Sequence, residues 1–125
     1  PPAPSMAAPF NPHERFMSGW YELSKNAHGH HHFVLKAANG LVILRSETYA
    51  TAAGARGGVA SVQVNAPHDE RYSLLTSQDG KPYFNLKAAN GEIIGTSQMY
   101  VSTGARQTGI DSVKTNGPSR DVREV

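Results

Sequence analysis

The sequence predicts an α+β fold: a tandem duplication of a β-β-β-α unit, forming one antiparallel six-stranded sheet with two helices packed on one face. Three observations predict it. The chain matches itself without a gap when shifted by 51 positions. Each copy carries turn signals between short runs of alternating apolar residues. Each copy then ends in a helical stripe bounded by a capping residue and a proline.

The self-match is dense. Tyr21, Leu23 and Gly29 fall on Tyr72, Leu74 and Gly80. Phe33, Leu35, Lys36, Ala37, Ala38, Asn39 and Gly40 fall on Phe84, Leu86, Lys87, Ala88, Ala89, Asn90 and Gly91. Ile43, Ser46 and Tyr49 meet Ile94, Ser97 and Tyr100, and Gly58, Ser61, Val62, Asn65 and Pro67 meet Gly109, Ser112, Val113, Asn116 and Pro118. Two copies are too few for a solenoid, which needs three or more. A unit this short buries too little surface alone, so the copies are expected to share one core. This gives a single pseudo-symmetric domain over 18–118, with repeat 1 at 20–67 and repeat 2 at 71–118. Residues 1–17, with Pro1, Pro2, Pro4, Pro9 and Pro12, are expected to be a disordered extension, and 119–125 a flexible tail.

The elements follow in order. A first strand at 20–24 or 71–76 turns near Gly29 or Asp79-Gly80. Asn39-Gly40 and Asn90-Gly91 are read as two-residue type I′ turns, which need positive φ at both central residues. They join strands at 32–38 and 41–46, and at 83–89 and 92–97. That turn places Phe33, Leu35, Ala37, Val42 and Leu44 toward the helices, with Phe84, Leu86, Ala88 and Ile93 from the second copy. Tyr21, Leu23, Tyr72 and Leu74 join them. The open face then carries Trp20, Glu22, Val34, Lys36, Ile43 and Arg45, and Arg71, Ser73, Asn85, Lys87, Ile94 and Thr96. Thr51 and Ser102 suit helix N-caps, and the helices should stop near Asn65 and Asn116, before Pro67 and Pro118. Gly58 and Gly109 each cost a helix about 1 kcal/mol against alanine; their recurrence points to close helix approach.

Composition narrows the function classes. The chain of 125 residues has no cysteine, which removes disulfides, thiol catalysis and cysteine-based zinc sites. The formal charge of +2 is too small to argue for nucleic acid or membrane by itself. No apolar stretch approaches the roughly 20 residues of a membrane span, so a cytoplasmic protein with no membrane contact is expected.

Met17-Ser18-Gly19-Trp20-Tyr21-Glu22-Leu23, the doubled Phe-x-Leu-Lys-Ala-Ala-Asn-Gly, Ser-x-x-Tyr, and the doubled Gly-[Val/Ile]-x-Ser-Val-x-x-Asn resemble the YegP-like family of small bacterial proteins. The resemblance runs from about Ser18 to Pro118. It implies one sheet with the C-terminal helices exchanged between units, and a chain that is a covalent version of a single-copy dimer, hence a monomer. It brings no activity, cofactor or catalytic residue.

The candidate sites are few. His30 and His32 share a face on an extended segment, so the turn from His28 to His32 could chelate a metal; the plainer reading is a solvated tip that binds metal adventitiously at most, since no acidic residue completes the set and the sister turn is Asp79-Gly80-Lys81-Pro82-Tyr83. Lys36, Lys87, Arg45, Arg71 and Trp20 could form a cationic platform for a phosphate backbone; the plainer reading is solubilising lysines whose stems cover Ile43 and Ile94. Tyr49 and Tyr100 are either a doubled ligand rim or packing residues. Arg106 occupies the stripe position held by Ala55 in the first copy, as a snorkelling side chain or an anion site made once. No nucleophile elbow or phosphate loop occurs. The reading is therefore a non-enzymatic module that binds an unidentified protein partner, without cofactor; the alternative is weak nucleic-acid or anion binding through the open sheet face.

Overall fold

A computed structural model describes residues 19–125; the expected 1–17 extension lies outside the described residues. The strands are β1 (Trp20–Lys25), β2 (His31–Lys36), β3 (Val42–Ser46), β4 (Tyr72–Thr76), β5 (Pro82–Lys87), β6 (Ile93–Thr96) and β7 (Val122–Glu124), with helices α1 (Ala52–Asn65) and α2 (Thr103–Asn116). They form one sheet in the order β4-β5-β6-β3-β2-β1-β7. The two units meet at the sheet centre, where β3 pairs antiparallel with β6 through Arg45 opposite Thr96 and Ser46 opposite Gly95.

The expectation of a six-stranded antiparallel sheet is corrected in two respects. The sheet has seven strands, and it is mixed, because the segment read as a flexible tail forms β7, which pairs parallel with β1. The direction has a simple cause. Under the repeat shift, Val122 corresponds to Arg71, so β7 leaves α2 as β4 leaves α1. Since β4 is the counterpart of β1, a strand leaving α2 in that way runs the same way as β1 and meets it in parallel.

The helices begin where the caps predict. Thr51 Oγ1 accepts from Gly54 N and Ser102 Oγ from Ala105 N, each at 3.0 Å. Both helices pack on strands of both units. Their C-terminal ends are fastened to the other unit: the Tyr21 hydroxyl donates to the Gly117 carbonyl at 2.6 Å, and the Tyr72 hydroxyl to the Ala66 carbonyl at 2.7 Å. Asn116 Oδ1 likewise accepts from the Gly19 amide at 2.7 Å. Burial pushes the Tyr21 and Tyr72 phenols well up, so they act as hydroxyl donors, as the orphan carbonyls at a helix end require.

The core is one cluster containing Tyr21, Leu23, Phe33, Leu35, Leu44, Val59 and Val62, with Phe84, Leu86, Ile110 and Val113 as counterparts. Within it Phe33 stacks on Tyr49 and Phe84 on Tyr100, each at 6.3 Å between ring centroids. The close approach expected at the recurring glycines is to these tyrosines: a Cβ on Gly58 or Gly109 would overlap the Tyr49 or Tyr100 hydroxyl.

Core assignments change for two reasons. The hairpins do not close with two-residue type I′ turns. Gly40 N donates to Ala37 O, Ala37 N donates to Leu41 O, and Gly40 sits at φ 85°; Gly91, Ala88 and Glu92 repeat this. That is a three-residue loop ending in a left-handed glycine, which shifts the pairing by one. A bulge corrects it: Lys36 faces Val42 and Leu35 faces Leu44, leaving Ile43 as the extra residue. Ile43 therefore turns into the core at 9% exposed while Val42 takes the open face. Ile94 and Ile93 exchange in the same way, and Ile93 is 40% exposed. Leu74, placed in the core by its match to Leu23, is 57% exposed against 7% for Leu23. The difference is β7, which covers the edge beside β1 and has no counterpart beside β4 among the described residues.

Candidate functional site

Two surfaces carry the chemistry of this chain. The first is the open sheet face around Trp20. Alternation along β1 and β2 brings Trp20, Glu22 and Lys36 together, since Trp20 lies opposite Lys36 in the ladder. The indole N–H donates to Glu22 Oε2 at 2.9 Å, and Lys36 Nζ lies 3.1 Å from Glu22 Oε1 and 6.0 Å from the indole centroid. The indole donor, and then Lys36, hold the Glu22 carboxyl below its ordinary value. Arg123 of β7 completes the group, with its guanidinium 4.3 Å from the Trp20 ring and its own charge held by Asp121 at 2.9 Å. The indole is thus engaged by a cation on a neighbouring strand.

The predicted cationic platform is only partly assembled. Lys36 and Trp20 meet. Arg45 is exposed on β3, opposite Val34 and Thr96, and Lys87 lies on β5 opposite Ile93. Arg71 turns away from such a platform: it ends the single 3-10 turn Asp69–Arg71 before β4, and its Nε donates to Asn65 Oδ1 at 2.8 Å, tying that turn to the end of α1. Arg106 reaches β4 from α2, its Nη1 donating to the Leu75 carbonyl at 3.0 Å. The sequence reading missed Arg123, whose strand it took for a tail; at the repeat shift Arg123 falls on Tyr72, the first residue of β4, but no residue identity in this segment marks the equivalence.

The histidine turn is organised by Asn26, whose Oδ1 accepts from the His28 and His30 amides. His32 Nε2 lies 3.0 Å from Ser24 Oγ, and His30 is exposed. Among the described residues no group of three or more His, Cys, Asp or Glu is placed to hold a metal ion. Ser46 and Ser97, beside the tyrosines, use their hydroxyls internally: each accepts from the Phe33 or Phe84 amide and donates to the next carbonyl.

The second surface is the edge of the sheet at β4. A groove there runs between β4 and α2, lined by Asp69, Tyr72, Leu74, Gln107, Ile110 and Lys114. Lys114 pairs with Asp69 across it. Among the described residues β4 has β5 as its single neighbour. Phe84 and Leu86 turn their backbones toward β6, so Leu74 and Tyr72, opposite them, turn theirs outward by the alternation of an antiparallel ladder. At the other edge the same positions are satisfied. Tyr21 N donates to Asp121 O at 2.8 Å, and Val125 N to Leu23 O at 2.9 Å.

Fold and surfaces together define a small duplicated α+β protein whose two halves differ at their outer edges. The chain belongs to the family described as Domain of unknown function (DUF1508), whose model matches it twice, at residues 26–73 and 77–124. Each match runs from the second strand of a unit, through its helix, into the strand that follows, so β4 and β7 hold equivalent places in the family's own frame. The chain is 55% identical over 109 residues to a UPF0339 protein of Shewanella oneidensis, covering 87% of this chain and 99% of that one. It is 54% identical over 108 residues to the UPF0339 protein YegP of Escherichia coli K12, covering 86% and 98%. The solution NMR structure of a UPF0339 protein from S. oneidensis superposes with a TM-score of 0.82 at 56% identity, over 86% of this chain and 92% of that one. That of E. coli yegP, described as a protein of unknown function, does so with a TM-score of 0.82 at 54% identity, over 86% and 93%. Among the described residues no helix is long and apolar enough to cross a membrane.

Proposed function

We propose that this chain is a non-enzymatic, monomeric module of the cytoplasm that acts by binding another protein. The observation that carries the reading is the inequality of the two sheet edges. One is closed by the chain's own β7, whereas among the described residues β4 leaves Leu74 uncovered and its outward backbone groups facing the groove. Natural sheets blunt exposed edges with charge, proline or a covering segment. Along β4, Tyr-Ser-Leu-Leu-Thr has none of these within the strand. An apolar edge retained in this way suits strand addition by a partner.

The test is cross-linked capture from source-cell extract with the full chain, its Leu74→Asp variant and a Lys36→Glu, Lys87→Glu variant. Protein captured by the wild type and by the lysine variant, and lost with Leu74→Asp, supports the reading. Capture indifferent to Leu74→Asp overturns it. The open face supplies the second reading, an anion or nucleic-acid surface, because Arg45 and Lys87 enter no ion pair among the described residues. Against it stands the indole of Trp20, already covered by Arg123 rather than free to stack on a base. Oligonucleotide binding that weakens steeply with salt and is lost in the lysine variant would favour that second reading.

A further inference from the structure

The two edge grooves are counterparts under the repeat shift, so the filled one describes what the other, open among the described residues, would hold. Beside β1 the occupant is β7. It runs parallel to β1, with Val122 opposite Tyr21 and Glu124 opposite Leu23. Val122 packs against the core cluster, and Glu124 pairs with Arg56 of α1. Gln63 of α1 donates to the Ser119 carbonyl at 2.8 Å, fixing the entry of the segment. Beside β4, Tyr72 and Leu74 replace Tyr21 and Leu23, Ile110 replaces Val59, and Lys114 replaces Gln63. Gln107 stands where Arg56 would be, and the basic residue has moved to the adjacent position, Arg106, where the first copy has Ala55. Arg106 reaches the Leu75 carbonyl, one residue beyond Leu74, and among the described residues no ion pair engages it. A guanidinium has five donors, so one bond to Leu75 leaves others for a carboxylate.

We propose that the β4–α2 groove takes an extended segment of a partner protein as a strand parallel to β4, with an apolar residue facing Tyr72 and a carboxylate two residues later held by Arg106. This rests on the protein-binding reading above and specifies the partner's chemistry. The chain's own β7 is not the donor, because Ser119, Asp121, Glu124 and Val125 all hold it to its own edge. A second copy pairing its β4 about a two-fold axis would lie antiparallel, unlike the strand in the filled groove.

The probe is a synthetic heptapeptide with the sequence of residues 119–125, Ser-Arg-Asp-Val-Arg-Glu-Val, titrated into the ¹⁵N-labelled full chain. The expected result is saturable shifts of the Leu74, Ile110 and Lys114 amides, with Leu23 and Val59 unmoved. Arg106→Gln in the chain, or Glu→Gln in the peptide, should each weaken binding by about 3–10-fold without further loss when combined, the signature of one charge-assisted contact. Replacing the peptide valine by aspartate should abolish binding. Shifts at β1 and α1 instead, no shift at millimolar peptide, or a concentration-dependent dimer that occupies β4 in place of the peptide would each overturn the proposal. If the peptide fails while capture still depends on Leu74, the occupant's chemistry is wrong and the protein-binding reading survives.

Discussion

Gly57 and Gly58 are neighbours on α1, yet alanine at these two positions should move stability in opposite directions. A Cβ on Gly57 meets nothing within 4 Å. Gly57→Ala therefore gains the helix-propensity difference, about 1 kcal/mol, with no steric cost. A Cβ on Gly58 would lie 2.8 Å from Phe33 Cε2 and would overlap the Tyr49 hydroxyl. The second copy sharpens the case, because the Cβ of Gly109→Ala would come within 2.5 Å of Tyr100 Cζ and that ring is buried and stacked on Phe84. Overpacking of this kind costs about 1–3 kcal/mol. With a buried ring and little room to yield, the upper part of that range applies to Gly109→Ala. After the propensity gain the net loss is about 1–2 kcal/mol. Urea unfolding followed by far-ultraviolet circular dichroism measures all three variants, and thermal melting should show shifts of roughly 3–6 °C per kcal/mol for a chain of this size. Adding Tyr100→Phe to Gly109→Ala should recover part of the loss by removing the overlapping hydroxyl. If Gly58→Ala and Gly109→Ala stabilise the chain as Gly57→Ala does, the tyrosines do not pack under the helices and the geometry of the core is wrong.

The remaining predictions concern the joints between halves and their titration. Deleting residues 122–125 should cost about 1–3 kcal/mol, from the loss of half-buried Val122 and several backbone bonds, and should raise aggregation at the bared β1 edge, seen by light scattering. Tyr72→Phe leaves the Ala66 carbonyl without its donor and should cost about 1 kcal/mol in urea unfolding. Burial raises the Tyr21 and Tyr72 phenols, and a raised phenol favours the folded state below the unfolded pKa; stability should hold to about pH 10 and fall as pH rises above it, which alkaline melting curves would follow. Glu22 is lowered, so its contribution is present at neutral pH and lost as pH falls below about 4; Trp20 fluorescence should report that transition, and Glu22→Gln should abolish it.

Much of the fold was legible because the repeat doubles every local signal. Thr51 and Ser102 capped the helices as expected, and the strands lie where the doubled Phe-x-Leu-Lys-Ala-Ala-Asn-Gly placed them. What failed was non-local or depended on one residue of loop length. Asn-Gly reads as a two-residue turn, but Ala37 closed the hairpin to Leu41, and the compensating bulge at Ile43 has no sequence mark of its own. Leu74 and Leu23 look identical in sequence; only the distant C-terminal strand separates them. Arg106 was visible as a break in the symmetry of the copies, whereas Arg123 was hidden in a segment too short and polar to show strand periodicity.

The meeting of the two ends at one edge has a topological corollary. The Gly19 amide is bonded to Asn116, and β7 then runs alongside β1 until Val125 is bonded to Leu23, so the described backbone returns to its own first strand. Joined from Val125 back to Gly19 by a crossover of about a dozen residues, the length that adjacent parallel strands require, and reopened at the exposed turn around Gly80, it would keep both layers of the fold and change only which strand the ribosome makes first. The order of synthesis is then almost independent of the finished shape, and a duplication that preserves shape while freeing one half to vary leaves room for the two outer edges to diverge.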